Sequence, residues 1–265
     1  MISLKPEWYQ AIKVRRSRRE FITKPIADDV INALTEFSNE LNRSLAGVRT
    51  VLVTEKAEEI FKGAIGSYGK IKGATAYVAF IGGKNDENVQ EKLGYMGECF
   101  ILEATSIGLS TCWVGGFFKP EVVARQINVS DDEEVLSVSP LGYTKEKLSL
   151  EENIMSGLAS SPKRKNLTQL CRGLTQEEWP DWVKAALEAA RLAPSAVNRQ
   201  PWRFEVDKES IKVSVNNQRY SHNISKRLDC GISMLHLELG ALSKGVKGTW
   251  EYLTAPDVAV FTKEQ

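Results

Sequence analysis

Five cations stand within seven residues at Lys13-Val14-Arg15-Arg16-Ser17-Arg18-Arg19. Guanidinium forks beside a serine hydroxyl can satisfy several oxygens of one phosphate at once. If the block closes a helix that begins near Pro6, Arg15 and Arg19 share a face. The plainer alternative is a solvated charged face or a weak nucleic-acid patch. A second run, Pro194-Ser195-Ala196-Val197-Asn198-Arg199-Gln200-Pro201-Trp202, sits between a helical and a strand pattern. Turn chemistry explains one or two of those residues, not the whole run. A third, Gly108-Leu109-Ser110-Thr111-Cys112-Trp113-Val114-Gly115-Gly116-Phe117, holds paired glycines that would let a flat ligand approach backbone N–H groups. The fourth, Lys163-Arg164-Lys165, is an ordinary solvated basic run unless the fold carries it to the first cluster. No GxGxxG or GxxxxGK[ST] supports a dinucleotide fold or a P-loop. Cys112 has no neighbouring histidine to make it a nucleophile, and no catalytic side chain is assigned.

The bulk properties narrow the classes. Lys and Arg number 35 against 34 Asp and Glu, a formal charge of +1 over 265 residues. A chain built to coat nucleic acid or a membrane surface needs a net positive face, so neither partner is expected. Hydrophobic residues at 42% and charged residues at 26% suit a globular protein with a real core. No apolar stretch approaches the roughly 20 residues of a membrane span, and the first residues show no secretory pattern. Cys99, Cys112, Cys171 and Cys230 are widely spaced with no CxxC, which fits a reducing cytoplasm. With His222 and His236 alone and no HExxH, no metal site is expected.

These segments need elements to hold them. Apolar periodicity predicts a helix over 28–41 with two acids in its first turn, strands over 48–54 and 74–81, and a long helix over 88–107 closed by Gly108 in a left-handed cap. A short helix opened by Pro120 and a strand over 135–141 follow. A polar connection runs over 142–175, containing Ser160-Ser161-Pro162 and room for a short helix. The plan then recurs: a helix over 181–192, strands over 202–206 and 211–215, a second long helix over 227–244 ended by Gly245, and a strand over 258–261. Shifting 93–113 by 137 positions onto 230–250 superposes Gly94 on Gly231, Leu102 on Leu239, Ala104 on Ala241, Ser106 on Ser243, Gly108 on Gly245 and Trp113 on Trp250. Two half-units, 1–174 and 175–265, related by duplication are the expectation, with long helices packing together as in a dimer.

Together the segments resemble the FMN-dependent nitroreductase superfamily. Its early R-[RH]-S-x-[RK] block is similar to residues 15–19, its PSxxNxQPW block to 194–202, its loop after the central helix to 108–117, its LGY strand end to Leu141-Gly142-Tyr143, and its late basic block to 163–165. The order departs from the family, whose PSxxN block precedes the central helix; here Leu41-Asn42-Arg43-Ser44-Leu45 stands in that place without matching. Typical members are homodimers in which one chain's RRS block meets the other's PSxxN block. The resemblance therefore implies an α+β fold with mainly antiparallel central sheets flanked by helices. It also implies an internal pseudo-dimer with one FMN per chain, a monomer with further dimerisation open.

Carried over residue by residue, the resemblance gives the phosphate to Arg15, Ser17, Lys163 and Lys165, with Arg16 on phosphate or ribityl chain. Arg19 would sit by N1 and O2 of the isoalloxazine. Pro194, Ser195, Ala196 and Asn198 would line the ring and ribityl chain. Trp113, Val114, Gly115 and Gly116 would cover the other edge with backbone N–H groups at N5 and O4, and Lys70 would reach the pyrimidine edge. The implied activity is an NAD(P)H oxidoreductase that takes hydride at N5 and reduces a flat small-molecule substrate such as a nitroaromatic or quinone. Other flavin reactions of the fold and a non-catalytic FMN store or sensor are the alternatives.

Overall fold

The computed structural model describes residues 2–62, 70–158, 163–217 and 224–264. Ser160-Ser161-Pro162 of the expected connection and His222 lie outside the described residues. In chain order the elements are α1 (Pro6–Val14), α2 (Asp28–Ser44), β1 (Val48–Val53), α3 (Ala57–Phe61), β2 (Ala76–Gly83), α4 (Val89–Ser106), β3 (Ser110–Thr111), α5 (Pro120–Gln126) and β4 (Glu133–Gly142). Then come α6 (Leu150–Leu158), α7 (Leu167–Leu170), β5 (Cys171–Gly173), α8 (Asp181–Arg191), β6 (Trp202–Val206), β7 (Ser210–Val215), α9 (Lys226–Leu242), β8 (Gly248–Tyr252) and β9 (Asp257–Lys263). The class is α+β: among the described residues every strand pairing is antiparallel except β5 with β6. The periodic stretches formed where the pattern placed them. The pattern missed three strands, β3, β5 and β8: two are only two or three residues long, and β8 is half-exposed.

The chain divides into two compact units that are not contiguous halves. One comprises Met1–Ser3, Val14–Val89 and Phe100–Pro162, the other Leu4–Lys13, Gln90–Cys99 and Lys163–Gln265. Besides Lys163–Gln265, the second unit takes most of α1 and the N-terminal part of α4.

In the first unit the sheet order is β1-β2-β4-β3. β2 is buried along almost its whole length, as a strand covered on both faces must be. Tyr77, Ala79 and Ile81 face a cluster with Ile60, Cys112, Val123 and Val138. α2 packs on β1, with Leu34, Phe37 and Leu41 buried. Its polar seam is closed by the Ser38 and Asn42 side chains, both of which bond to Thr50.

In the second unit the order is β5-β6-β7-β9-β8, and α8 and α9 pack together. α9 is buried on nearly every side, which explains its nearly continuous apolar sequence. A Cβ at Gly240 would collide with the backbone of Ala185 and Ala186 in α8, so only glycine permits that approach. Gly94 and Gly231 stand in a reciprocal arrangement. A side chain on Gly94 would strike the Leu228 carbonyl, and one on Gly231 the Glu91 carbonyl. Both pairs of positions are related by the 137-residue shift. The caps match as well. Gly108 (φ 86°) and Gly245 (φ 74°) are both left-handed, with Leu109 N–H on Ala104 O and Val246 N–H on Ala241 O.

Candidate functional site

α1 ends at Val14, so the arginine block is not a helix face. It runs instead beside the sheet of the first unit, with Ser17 bridged in parallel to Thr111 and Glu20 to Lys72. Arg18 N–H bonds to Thr111 O at 2.9 Å, and Arg19 O accepts from Lys72 N–H at 2.9 Å. The cations then divide by role. Arg18 is buried and gives both sides of its fork to Glu152 on α6, at 3.1 and 3.2 Å, with Thr144 Oγ1 at 2.7 Å and Lys145 O at 2.8 Å. Glu152 also accepts from the N–H groups of Arg19, Glu20 and Ser149. Burial works against that carboxylate, but these donors outweigh it and hold it below its usual range. Arg18 is thus a structural cation. Arg15 is buried, Arg16 exposed with Nη1 on Arg15 O, and Ser17 and Arg19 half-buried.

The Ser17–Thr111 bridge brings this block to the loop after β3. Trp113 is half-buried and stacks on Phe80, ring centroids 4.6 Å apart. Val114 is a core residue whose N–H and C=O are both bonded to Val138 at 2.9 Å, so its N–H is not a donor for a ligand. Gly116 is exposed, and a Cβ there would meet nothing within 4 Å. Of the expected donors of this loop, the N–H groups of Gly115 and Gly116 remain as candidates. Thr111 Oγ1, beside Ser17, is buried with no hydrogen-bond partner among the described residues, and a polar ligand could supply one. Lys70 is exposed.

The second unit assembles the other set. Ser195 opens a tight turn in which Val197 (φ 49°), Asn198 (φ 55°) and Gln200 (φ 47°) are all left-handed. Three such residues in four, one of them β-branched, are held only because the surroundings over-determine them. Ser195 Oγ accepts from Gln200 N–H at 2.9 Å, and Asp229 Oδ1 from Ala196 N–H at 3.0 Å. Arg199 Nε reaches Asp229 Oδ2 at 2.6 Å, and its Nη2 bonds to Ile224 O and Ser225 O. Burial pushes the Asp229 carboxyl up to about 6, opposed by Arg199 and the Ala196 N–H.

The late basic run docks on this turn. Asn198 Nδ2 donates to Lys163 O at 2.9 Å, and Arg164 Nη1 to Asn198 Oδ1 at 3.2 Å. Lys165 N–H bonds to Gln200 Oε1 at 2.8 Å, while its Nζ holds Arg199 O at 2.8 Å and Gln200 O at 3.1 Å. Lys163 is exposed, Pro194 buried, and Lys165, Ser195, Ala196 and Asn198 half-buried. The fifteen sequence-assigned residues thus fall into two local sets, one per unit. Two residues that reasoning from sequence passed over hold them: Glu152 in the first set and Asp229 in the second. Asp229 carried a signal, an acid inside an apolar helix; Glu152 carried none.

Among the described residues no helix is long and apolar enough to cross a membrane, and no group of His, Cys, Asp and Glu could hold a metal ion. A family profile described as "Putative TM nitroreductase" matches residues 7–241. The crystal structure of "a putative nitroreductase" from Thermotoga maritima is similar over 96% of this chain and 93% of that one, at 18% identity and a TM-score of 0.64. A nitroreductase with bound FMN from Bacteroides fragilis is similar over 54% of this chain and 91% of its own, at 24% identity and a TM-score of 0.44. No curated protein matches the chain.

Proposed function

This chain belongs to the "Putative TM nitroreductase" family, an oxidoreductase assignment, and from that premise we propose that it is an FMN-dependent NAD(P)H oxidoreductase acting on flat electron-poor acceptors. The observation that carries the cofactor is the docking of Lys163–Lys165 on the left-handed Ser195–Gln200 turn. Cations and strained backbone there are gathered without forming the core of the fold. In the first unit, Thr111 Oγ1 beside Ser17 is buried with no hydrogen-bond partner among the described residues, which fits a polar ligand.

Bound FMN would accept hydride at N5 from NAD(P)H and deliver electrons to a nitroaromatic or quinone. The chain's own residues would do the rest. Arg15, Arg16, Ser17, Lys163 and Lys165 would bind the phosphate and its neighbouring ribityl oxygens, each through charge-assisted hydrogen bonds. The Arg19 guanidinium would hold negative charge at the N1 and O2 edge, an electrostatic contribution preorganised before reaction. Its backbone is fixed on both sides, by Glu152 and by Lys72. Gly115 and Gly116 would donate N–H groups along the N5 and O4 edge, where a side chain would obstruct a flat ring. Pro194, Ala196 and the polar ends of Ser195 and Asn198 would line the ring and ribityl chain, and Lys70 the pyrimidine edge. We propose one FMN per chain, in an internally pseudo-twofold monomer of a reducing cytoplasm.

The test is the visible spectrum of purified protein before and after anaerobic NAD(P)H. Flavin absorption that bleaches with NAD(P)H and returns with a quinone is the expected result. A yellow protein that never bleaches would favour storage, and a protein that binds no flavin would overturn the proposal.

A further inference from the structure

Arg203 lies on β6 directly after the Pro194–Trp202 run and has no role in the assignment above. Its Nη1 turns back to Trp202 O at 2.6 Å and reaches Gln200 O at 3.5 Å. The same Gln200 carbonyl holds Lys165 Nζ at 3.1 Å. Two cations therefore converge on one carbonyl oxygen. No carboxylate among the described residues pairs with either of them. By contrast Arg18, Arg199 and Arg227 are each matched to a buried acid, Glu152, Asp229 and Glu91. Burial, and for Lys165 the nearby Arg203, lowers both groups from their usual range. Like charges gathered in a partly desolvated place call for an anion, and no carboxylate among the described residues supplies it. Gln200 is held left-handed (φ 47°), and its side chain is locked by Lys165 N–H and Lys163 O. The shared carbonyl is thus fixed in place.

We propose that Arg203 and Lys165 form a phosphate-monoester subsite, two donors set on the Gln200 carbonyl to take one dianion. The planar guanidinium and the ammonium give complementary geometry, a fork and a point charge. Two sources carry that chemistry: the 5′-phosphate of FMN and the 2′-phosphate of NADPH. The first rests on the flavin reading above and adds Arg203 to it; the second would make Arg203 a determinant of donor preference.

The direct probe is inorganic phosphate. In flavin-free wild-type protein, phosphate at matched ionic strength should raise Tm where chloride does not. Arg203→Met should remove that rise and Arg203→Lys should retain part of it. In flavin titrations, the ratio of riboflavin Kd to FMN Kd should fall roughly ten- to hundredfold in Arg203→Met, the size of lost charge-assisted hydrogen bonds. If that ratio holds while the preference for NADPH over NADH collapses, the subsite stands and serves the donor. The inference is overturned if wild type shows no phosphate-specific rise, or if Arg203→Met moves none of the three readouts. Protein that takes no flavin yet keeps an Arg203-dependent phosphate rise would sink the flavin reading and leave this subsite standing.

Discussion

At the scale of single residues, the arginine block shows why a cluster must be resolved into members before it is read. Arg18 is spent on Glu152, and Arg15, three residues earlier, is buried as well. Arg15→Ala is expected to strip FMN from the purified protein, seen as loss of flavin absorbance at unchanged far-UV circular dichroism. Ser195→Ala should weaken occupancy less, because Ser195 Oγ already serves Gln200 N–H and its loss acts through the turn. Retention of full flavin occupancy and reduction rate in both variants would refute the assigned roles. Two carboxyls set opposite limbs of the stability profile. Hydrogen bonds from Arg49 hold Glu133 down to about 2 from an ordinary 4.5. Its contribution is complete above the ordinary value and fades as pH falls toward 2. Asp229 is raised by burial from 3.8 to about 6, so its contribution is complete below the ordinary value and fades as pH rises through 6. Melting across pH 2–8 should show Glu133→Gln flattening the acid limb and Asp229→Asn flattening the slope between 4 and 6. Unchanged slopes would contradict both.

At the scale of elements, glycines serve two physical purposes that are separable by substitution. Gly231 sits where α9 meets the 90–99 segment of α4, against the Glu91 backbone. Gly231→Ala overpacks that crossing, a change of about 1–3 kcal/mol and so several degrees of Tm in a chain of this size. Gly108 faces open space, and only its left-handed φ of 86° demands glycine. Gly108→Ala should therefore destabilise by about 1 kcal/mol, with Gly108→Asn milder. Calorimetry that ranks Gly108→Ala as the worse change would show the crossing to be more compliant than its geometry indicates. Helix periods, cap glycines and the buried strand β2 were legible because each depends on neighbours three or four residues away at most. β8 was not: its Gly-Thr-Trp-Glu-Tyr stretch becomes a strand only through pairing with β9.

At the scale of the whole molecule, the proposed duplication rests on the 137-residue shift, which pairs Gly94 with Gly231, each against a facing helix backbone, and the left-handed cap glycines Gly108 and Gly245. The two compact units draw on interleaved segments, a feature invisible to any reading that cuts a chain once. The proposed pseudo-dimer with one site predicts about one FMN per polypeptide on extraction. Near two per chain would mean that each half carries a complete site. Light scattering of holoprotein should return the mass of a single chain.

The sequence by itself determined the class of the fold, most element positions, the family resemblance and the residue types able to grip a phosphate, because these rest on local period and on side-chain chemistry. Only the tertiary structure decided which cations are already neutralised and which are not. It assigned Arg18 to Glu152 and Arg199 to Asp229, withdrew the Val114 N–H from ligand binding, and brought Lys165 and Arg203 to one carbonyl. Pairing of charges depends on distance in space, and residues 134 positions apart, such as Arg18 and Glu152, carry no local mark of the partner they will meet.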